Sequence, residues 1–232
     1  MGKLPRACMR DQIRSKLVER IVSGEYPPGT HLKELVLARE FNVSQAPVRE
    51  ALRELEAAGL VESQRFRGTR VLGLNPEELR QAYELREIIE VAAVKRVLPL
   101  ANEDFAGLEA IVDEMARAIA RADVKDLCTQ GMRFHRRLVE LSGNVMFLRA
   151  WDGLTWDVRV RVVALVVGHD FTQGLADKRA VLDALCQGDS AAAAERLSGI
   201  IRGMIARIGE TEFPSHVAAV AATGPAIPEA AA

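Results

Sequence analysis

The sequence predicts a mainly α protein: an N-terminal winged helix-turn-helix followed by an all-α antiparallel helical bundle. Three observations carry this. Residues 10–57 hold three short helix-period segments, and two short extended segments follow on either side of a basic turn. From Asn75 to Ile208 the apolar residues recur at helical spacing only. Charge divides at the same place: residues 1–75 hold 13 Lys+Arg against 9 Asp+Glu, a balance of +4, and residues 76–232 hold 18 against 23, a balance of -5, which sum to the chain's -1. The expected division is 1–74, 75–210 and a low-complexity tail, 211–232, that should be disordered.

In chain order, Ile13, Leu17, Ile21 and Val22 define a first helix, stopped by Gly24 and turned by Pro27-Pro28-Gly29. "KELVLAREF" is a second, with Leu35, Ala38 and Phe41 facing one way and Asn42 able to end it. Ser44 caps a third, which tolerates Pro47 in its first turn, buries Val48, Leu52 and Leu55, and ends at Gly59. "LVESQ" and "GTRVLGL" are strands joined by the turn Arg65-Phe66-Arg67-Gly68.

The second half opens with strong start signals: Asn75 as N-cap, Pro76 in the first helical position and Glu78 three past the cap. Six helices are expected, over 76–98, 103–121, 124–142, 145–167, 172–187 and 190–209, with breaks at Pro99, Ala122-Asp123, Gly143-Asn144, Gly168 and Gly188-Asp189.

Composition narrows the setting. Cys8, Cys128 and Cys186 lack metal-type spacing and suit a reducing compartment. The opening "MGKLPRACMRDQ" has no apolar core of a signal peptide, and the longest apolar run, Val162 to Val167, is far too short to span a bilayer. A soluble cytoplasmic protein without membrane partners is expected.

The third helix would present Ser44, Gln45 and Arg49 at its N-terminal end, with Arg53 one turn later on the face of Arg49. In the hairpin tip Arg65, Arg67 and Arg70 suit phosphates, and Gly68 allows close backbone approach. The plainer reading is a solvated amphipathic helix whose arginines pair with Glu50, Glu54 and Glu56. The stretch "GEYPPGTHLKELVLAREFNVSQAPVREALRELEAAGLVESQRFRGTRV" resembles the DNA-binding domain of the GntR family of bacterial transcription regulators. That resemblance implies DNA contact by Ser44, Gln45, Ala46, Arg49, Arg53 and Gly68. Many members carry Arg at the position of Gln45; Arg suits guanine O6 and N7, whereas Gln suits adenine.

Farther along, Arg86 interrupts an apolar line of Leu79, Ala82, Ile89 and Ala93, Lys178 lies between Leu175 and Leu182, and His135 sits beside Phe134 and Leu138. Inward Arg and Lys are costly unless paired. Arg86 could pair with Glu90 or Asp157, Lys178 could snorkel to the surface, and His135 could be a hydrogen-bonded core residue. Alternatively, Arg86, His135 and Lys178 hold a ligand carboxylate. Trp151 and Trp156, with Phe147 and Leu154, read as core.

"AYELREIIEVAA", "FHRRLVELSGN" and "DKRAVLDALCQGDSAAAAERL" resemble the FadR-type effector domain of the same family, the FCD domain. The resemblance implies a dimerising bundle that binds small carboxylates, in many members around a divalent metal held by one Asp or Asn and three His. Here His135 is present, but Gly131, Lys178 and Ile200 stand at the other three ligand positions. No metal cofactor is therefore expected, unless His169, in a loop, belongs to a remodelled site; His31 and His216 do not fall at the missing positions.

The expected protein is a homodimeric, non-catalytic regulator, a repressor by family habit, that binds an inverted-repeat operator and responds to a small organic acid. The rival classes are a metal sensor, an architectural DNA binder and an enzyme. The last lacks a phosphate loop, a nucleophile elbow or a paired-carboxylate motif.

Overall fold

The computed structural model describes residues 6–64, 68–98, 100–168 and 171–215. The chain divides between Asn75 and Pro76 into a front unit and a rear unit that runs to Glu212.

The front unit contains α1 (Arg6–Val22), β1 (His31–Leu32), α2 (Glu34–Glu40), α3 (Gln45–Ala57), β2 (Val61–Gln64) and β3 (Gly68–Val71). α1 packs on α3, and Leu17, Val18 and Ile21 of α1 and Val48, Ala51 and Leu55 of α3 have almost no solvent exposure. Complete burial of a side chain such as Leu55 contributes about 1.5–3 kcal/mol. The turn between α2 and α3 follows from Asn42, which adopts φ 53 while Val43 N–H donates to Ala38 O at 2.9 Å. Asn tolerates this left-handed conformation better than most residues. Gly59 ends α3 the same way, at φ 76, with Leu60 N–H donating to Leu55 O at 3.0 Å.

Three details differ from expectation. On α2, Leu37 and Ala38 are buried and Leu35 is 49% exposed, because the inward face of this two-turn helix starts at Leu37. Ser44 holds the N-cap position of α3 with extended backbone, yet its hydroxyl makes no capping bond. The hairpin gains a third strand: the sheet order is β1-β3-β2, all antiparallel, with Leu32 opposite Thr69 and Val61 opposite Val71. A two-residue strand has no periodicity to read; its partner defines it.

The rear unit is helical: α4 (Pro76–Val94), α5 (Asn102–Ala120), α6 (Val124–Leu141), α7 (Val145–Asp152), α8 (Trp156–Val166), α9 (Phe171–Cys186) and α10 (Ser190–Glu210). α4 packs on α6 and α10, α5 on α6 and α9, and α9 on α10. Three of the five predicted breaks share one device. A residue with left-handed backbone (Ala122, Gly143 or Gly188) ends one helix, and the next residue (Asp123, Asn144 or Asp189) caps the following one by accepting its backbone N–H.

The predicted helix over 145–167 is two helices. The chain breaks at Gly153-Leu154-Thr155, where Thr155 adopts φ 49. Arg159 Nε donates to the freed Leu154 carbonyl at 2.9 Å. The break lets Trp151 and Trp156 pack side by side, ring centres 6.1 Å apart, against α4. The expected tail beyond Ser215 lies outside the described residues. No helix among the described residues is long and apolar enough to cross a membrane.

Candidate functional site

Two regions carry the candidate residues. In the front unit, Ser44, Gln45, Ala46, Arg49 and Arg53 are all exposed. They lie along α3 from its N-terminus, away from the buried side formed by Val48, Leu52 and Leu55. Because Ser44 does not cap, backbone N–H groups of the first turn of α3 remain available to an anion.

The alternative of paired arginines is met in part, with a partner other than Glu50, Glu54 or Glu56. Arg49 forms a two-pronged pair with Glu34 of α2, at 2.8–3.1 Å. Glu54 pairs with Arg10 and Arg14 of α1, and Glu56 accepts from Ser63 N–H and Oγ–H. The helix is therefore tied to its neighbours by Glu54, Glu56 and Arg49, and Arg49 and Arg53 both remain exposed. Gly68 is exposed with φ 86, a conformation that disfavours any side chain. Arg70 makes a cross-strand pair with Glu62 at 3.3 Å. Arg65 and Arg67 lie outside the described residues.

In the rear unit, helices α4, α5, α6, α8, α9 and α10 line a partly open cavity of about 90 Å³. Arg86, His135 and Lys178, read from the sequence as inward-facing, all line it, and so do Gly131 and Ile200. Residues far apart along the chain thus meet in one place.

The centre of this polar cluster is Glu90, which is completely buried. Its Oε1 accepts from Arg86 Nε at 2.7 Å and from Trp151 Nε1 at 2.8 Å, and its Oε2 lies 2.8 Å from His135 Nδ1. Burial raises the Glu90 pKa, but Arg86, then His135 and Trp151, outweigh it and bring it down to about 2. The carboxylate therefore stays charged. Since it can only accept, His135 carries its proton on Nδ1 and leaves Nε2 as an acceptor. Burial lowers the His135 pKa to about 4 against the pull of Glu90, with Arg86 adding to the decrease.

The Arg86 guanidinium also lies over aromatic faces, 4.9 Å from the Trp156 ring centre and 5.4 Å from that of Tyr83. Lys178 is 94% buried and its Nζ donates to Gly174 O at a long 3.3 Å. Burial, with Arg86 adding repulsion, lowers its pKa to about 8. Lys178 does not reach the surface as a snorkelling lysine would. Arg86 does form the ion pair with Glu90 that the sequence left open, and still presents itself to the cavity.

The part played by Glu90 was legible only as a possible partner four residues from Arg86; its bonds to His135 and Trp151 come from tertiary packing. Trp151 and Trp156 are core residues, as read, but each also supports the cluster, one by a hydrogen bond and the other by its ring.

A histidine backed by a carboxylate is how metal-ligating imidazoles are commonly held. The rest of the donor set does not fit. Gly131 and Ile200 have no donor atom, and the Lys178 ammonium repels a cation. Among the described residues no group of three or more His, Cys, Asp or Glu is placed to hold a metal ion. His31 is in β1, in the other unit, and His169 and His216 lie outside the described residues.

Comparison with known proteins fits both regions. Residues 9–71 match the model for bacterial regulatory proteins of the gntR family, and residues 81–203 match the FCD domain. The chain belongs to the GntR family of transcription regulators, in the branch with an FCD domain. It is 29% identical over 187 residues to a protein of Paenarthrobacter nicotinovorans described as a "Probable D-xylose utilization operon transcriptional repressor", covering 81% of this chain and 83% of that one. It is 33% identical over 153 residues to the gluconate operon transcriptional repressor of Bacillus licheniformis, covering 65% of this chain and 62% of the relative. The fold is shared with E. coli McbR/YncC, at a TM-score of 0.66 and 20% identity, over 90% of this chain and 99% of that one.

Proposed function

We propose that this regulator is an operator-binding repressor, released from DNA by a small organic acid that binds in the cavity of the rear unit. Arg86 and Lys178 hold the carboxylate, and His135 accepts or relays a hydrogen bond through Nε2. The observation that carries this is the cavity itself, walled by two buried cations of which one, Lys178, has only a long bond to a backbone carbonyl among the described residues. A buried ammonium so weakly partnered favours an anion.

The front unit reads the operator through Ser44, Gln45, Ala46, Arg49 and Arg53, with Gly68 at the start of β3 and Arg67 next to it in the sequence. Gln45 selects adenine where an arginine would select guanine. The protein works in the cytoplasm as a homodimer on an inverted repeat. Leu85 and Ile88 on α4, and Val145 and Met146 on α7, are exposed apolar residues on two helices that pack together, and they offer a surface to a second copy. The acid acts by binding more tightly to the dimer arrangement that fits DNA poorly. No metal takes part.

The experiment is a calorimetric screen of the purified dimer against carboxylates, followed by titration of the operator complex with each acid that binds. The expected result is binding by the metal-free protein, with chelator altering neither affinity nor melting temperature. One stoichiometric ion per chain, removable only with loss of acid binding, would favour the metal sensor.

A further inference from the structure

We infer that the effector is a small monocarboxylate with an apolar body, on the order of four to six non-hydrogen atoms by comparison with a cavity of about 150 Å³ that accepts benzene. This deepens the acid-effector reading above and rests on it. Sugar acids and di- or tricarboxylates are disfavoured, and so is a neutral analogue of the same shape.

Size is the first argument. The cavity holds about 90 Å³ and opens to solvent on one side. That space takes a short or branched acid whole, whereas a six-carbon polyhydroxy acid would have to extend out of it.

Charge is the second. The ionised side chains of the cluster are Arg86 and Lys178 against Glu90, whose two oxygens already serve three partners. His135 is neutral. The cluster carries one positive charge in excess, so one carboxylate balances it. A second would be buried without a counter-charge, at high cost.

The wall is the third. Away from the polar cluster it is mostly apolar, with Met115, Met132, Met204, Val163, Ile200 and Ile201, and its polar exceptions are the Cys128 thiol and the Tyr83 phenol beside Arg86. Those six apolar side chains donate no hydrogen bond, and a thioether, like a thiol, is a weak partner. Every ligand hydroxyl placed against them loses its water partners without replacement.

Gly131 fits the same picture. A Cβ at this position would lie 4.0 Å from Lys178 Cε. Position 131 thus borders the lysine stem and contributes no donor of its own, leaving Lys178 as the charge on that side of the cavity.

Calorimetry on the full chain at neutral pH separates the possibilities, using isobutyrate, its neutral analogue isobutyramide, gluconate and citrate as probes. Isobutyrate is expected to bind, and the other three to bind at least roughly tenfold more weakly, about the effect of one unpaired buried polar group. Ile200→Ala enlarges the apolar wall and should shift preference from isobutyrate toward pentanoate. Equal or tighter binding of gluconate or citrate, weakened by Lys178→Met, would overturn the size and polarity inference while leaving the acid-effector reading intact. Equal binding of isobutyramide, or no binding by any of the three carboxylates, would overturn both.

Discussion

The front and rear units place charge in opposite ways. In the front unit the core is built from Leu, Ile, Val and Ala, and the candidate reading residues Arg49 and Arg53 are exposed. Arg14 is the buried exception, and Glu54 neutralises it. In the rear unit Arg86, Glu90, His135 and Lys178 are all inside. An exposed arginine costs little to fold around and meets a polyanion in solvent. A buried one must be desolvated first, so it persists only within a network. The rear unit therefore gives up stability to hold a prepared charge, whereas the front unit does not.

The largest effect should come from breaking that network. Glu90→Ala leaves Arg86 buried without its carboxylate, and removing one member of a buried pair typically costs about 3–5 kcal/mol. Chemical denaturation should show this loss, while Glu34→Ala, which frees Arg49 at the surface, should barely move the midpoint. Equal midpoint shifts in the two variants would erase the contrast between the units.

Acid should attack the rear unit through the same groups. The native His135 pKa is about 4, below its ordinary 6.5, so between these values the unfolded chain binds a proton that the native one refuses. Stability is then lost as pH falls from about 6.5 to about 4. Glu90, held near 2 instead of 4.5, extends the loss below pH 4.5. Denaturation midpoints measured across this range should fall in two overlapping limbs, and His135→Asn should remove the upper one. A flat profile from pH 6.5 to 4.5 would mean that His135 titrates normally.

For the front unit the effects belong to binding. Arg49→Ala and Arg53→Ala should leave denaturation curves in place and weaken operator binding by roughly tenfold to a hundredfold, and the salt dependence should become shallower for whichever arginine touches a phosphate. Anisotropy titrations at several salt concentrations would show it, and unchanged affinity in both variants would remove α3 as the reading helix. The smallest effect is a change of preference. Gln45→Arg should move one base per half-site from adenine toward guanine, a discrimination of about 1–3 kcal/mol. Identical consensus sequences selected by both proteins from a random pool would show that Gln45 reads no base.

The same contrast explains what could be read in advance. Exposed residues at helical spacing, such as Arg49 and Arg53, declare their face from the sequence. Helix ends marked by Asn42, Gly59, Gly143-Asn144 or Gly188-Asp189 were equally legible, because each depends on a local backbone conformation. An inward Arg86 or Lys178 was visible as an interruption of an apolar line. What Arg86 meets there was only half visible: Glu90, one turn away, could be named, but Trp151 and His135, which bond to that carboxylate, are 61 and 45 residues from it. The break at Thr155 had a local signal in Asp152-Gly153, but the apolar residues on either side of it suggested one continuous helix, and the two tryptophans that the break packs on α4 belong to tertiary structure. The strand β1 depends wholly on its partner β3.

If the charge buried in the rear unit governs what the front unit does, Lys178 must be needed for release from DNA and not for binding to it. The direct measurement is operator affinity for the parent and for Lys178→Met, with and without the acid that binds the parent most tightly. The expected result is operator release by the acid in the parent and none in Lys178→Met at the same concentration, with both proteins binding the operator equally when acid is absent. Equal release of both proteins, or release of neither, would contradict it.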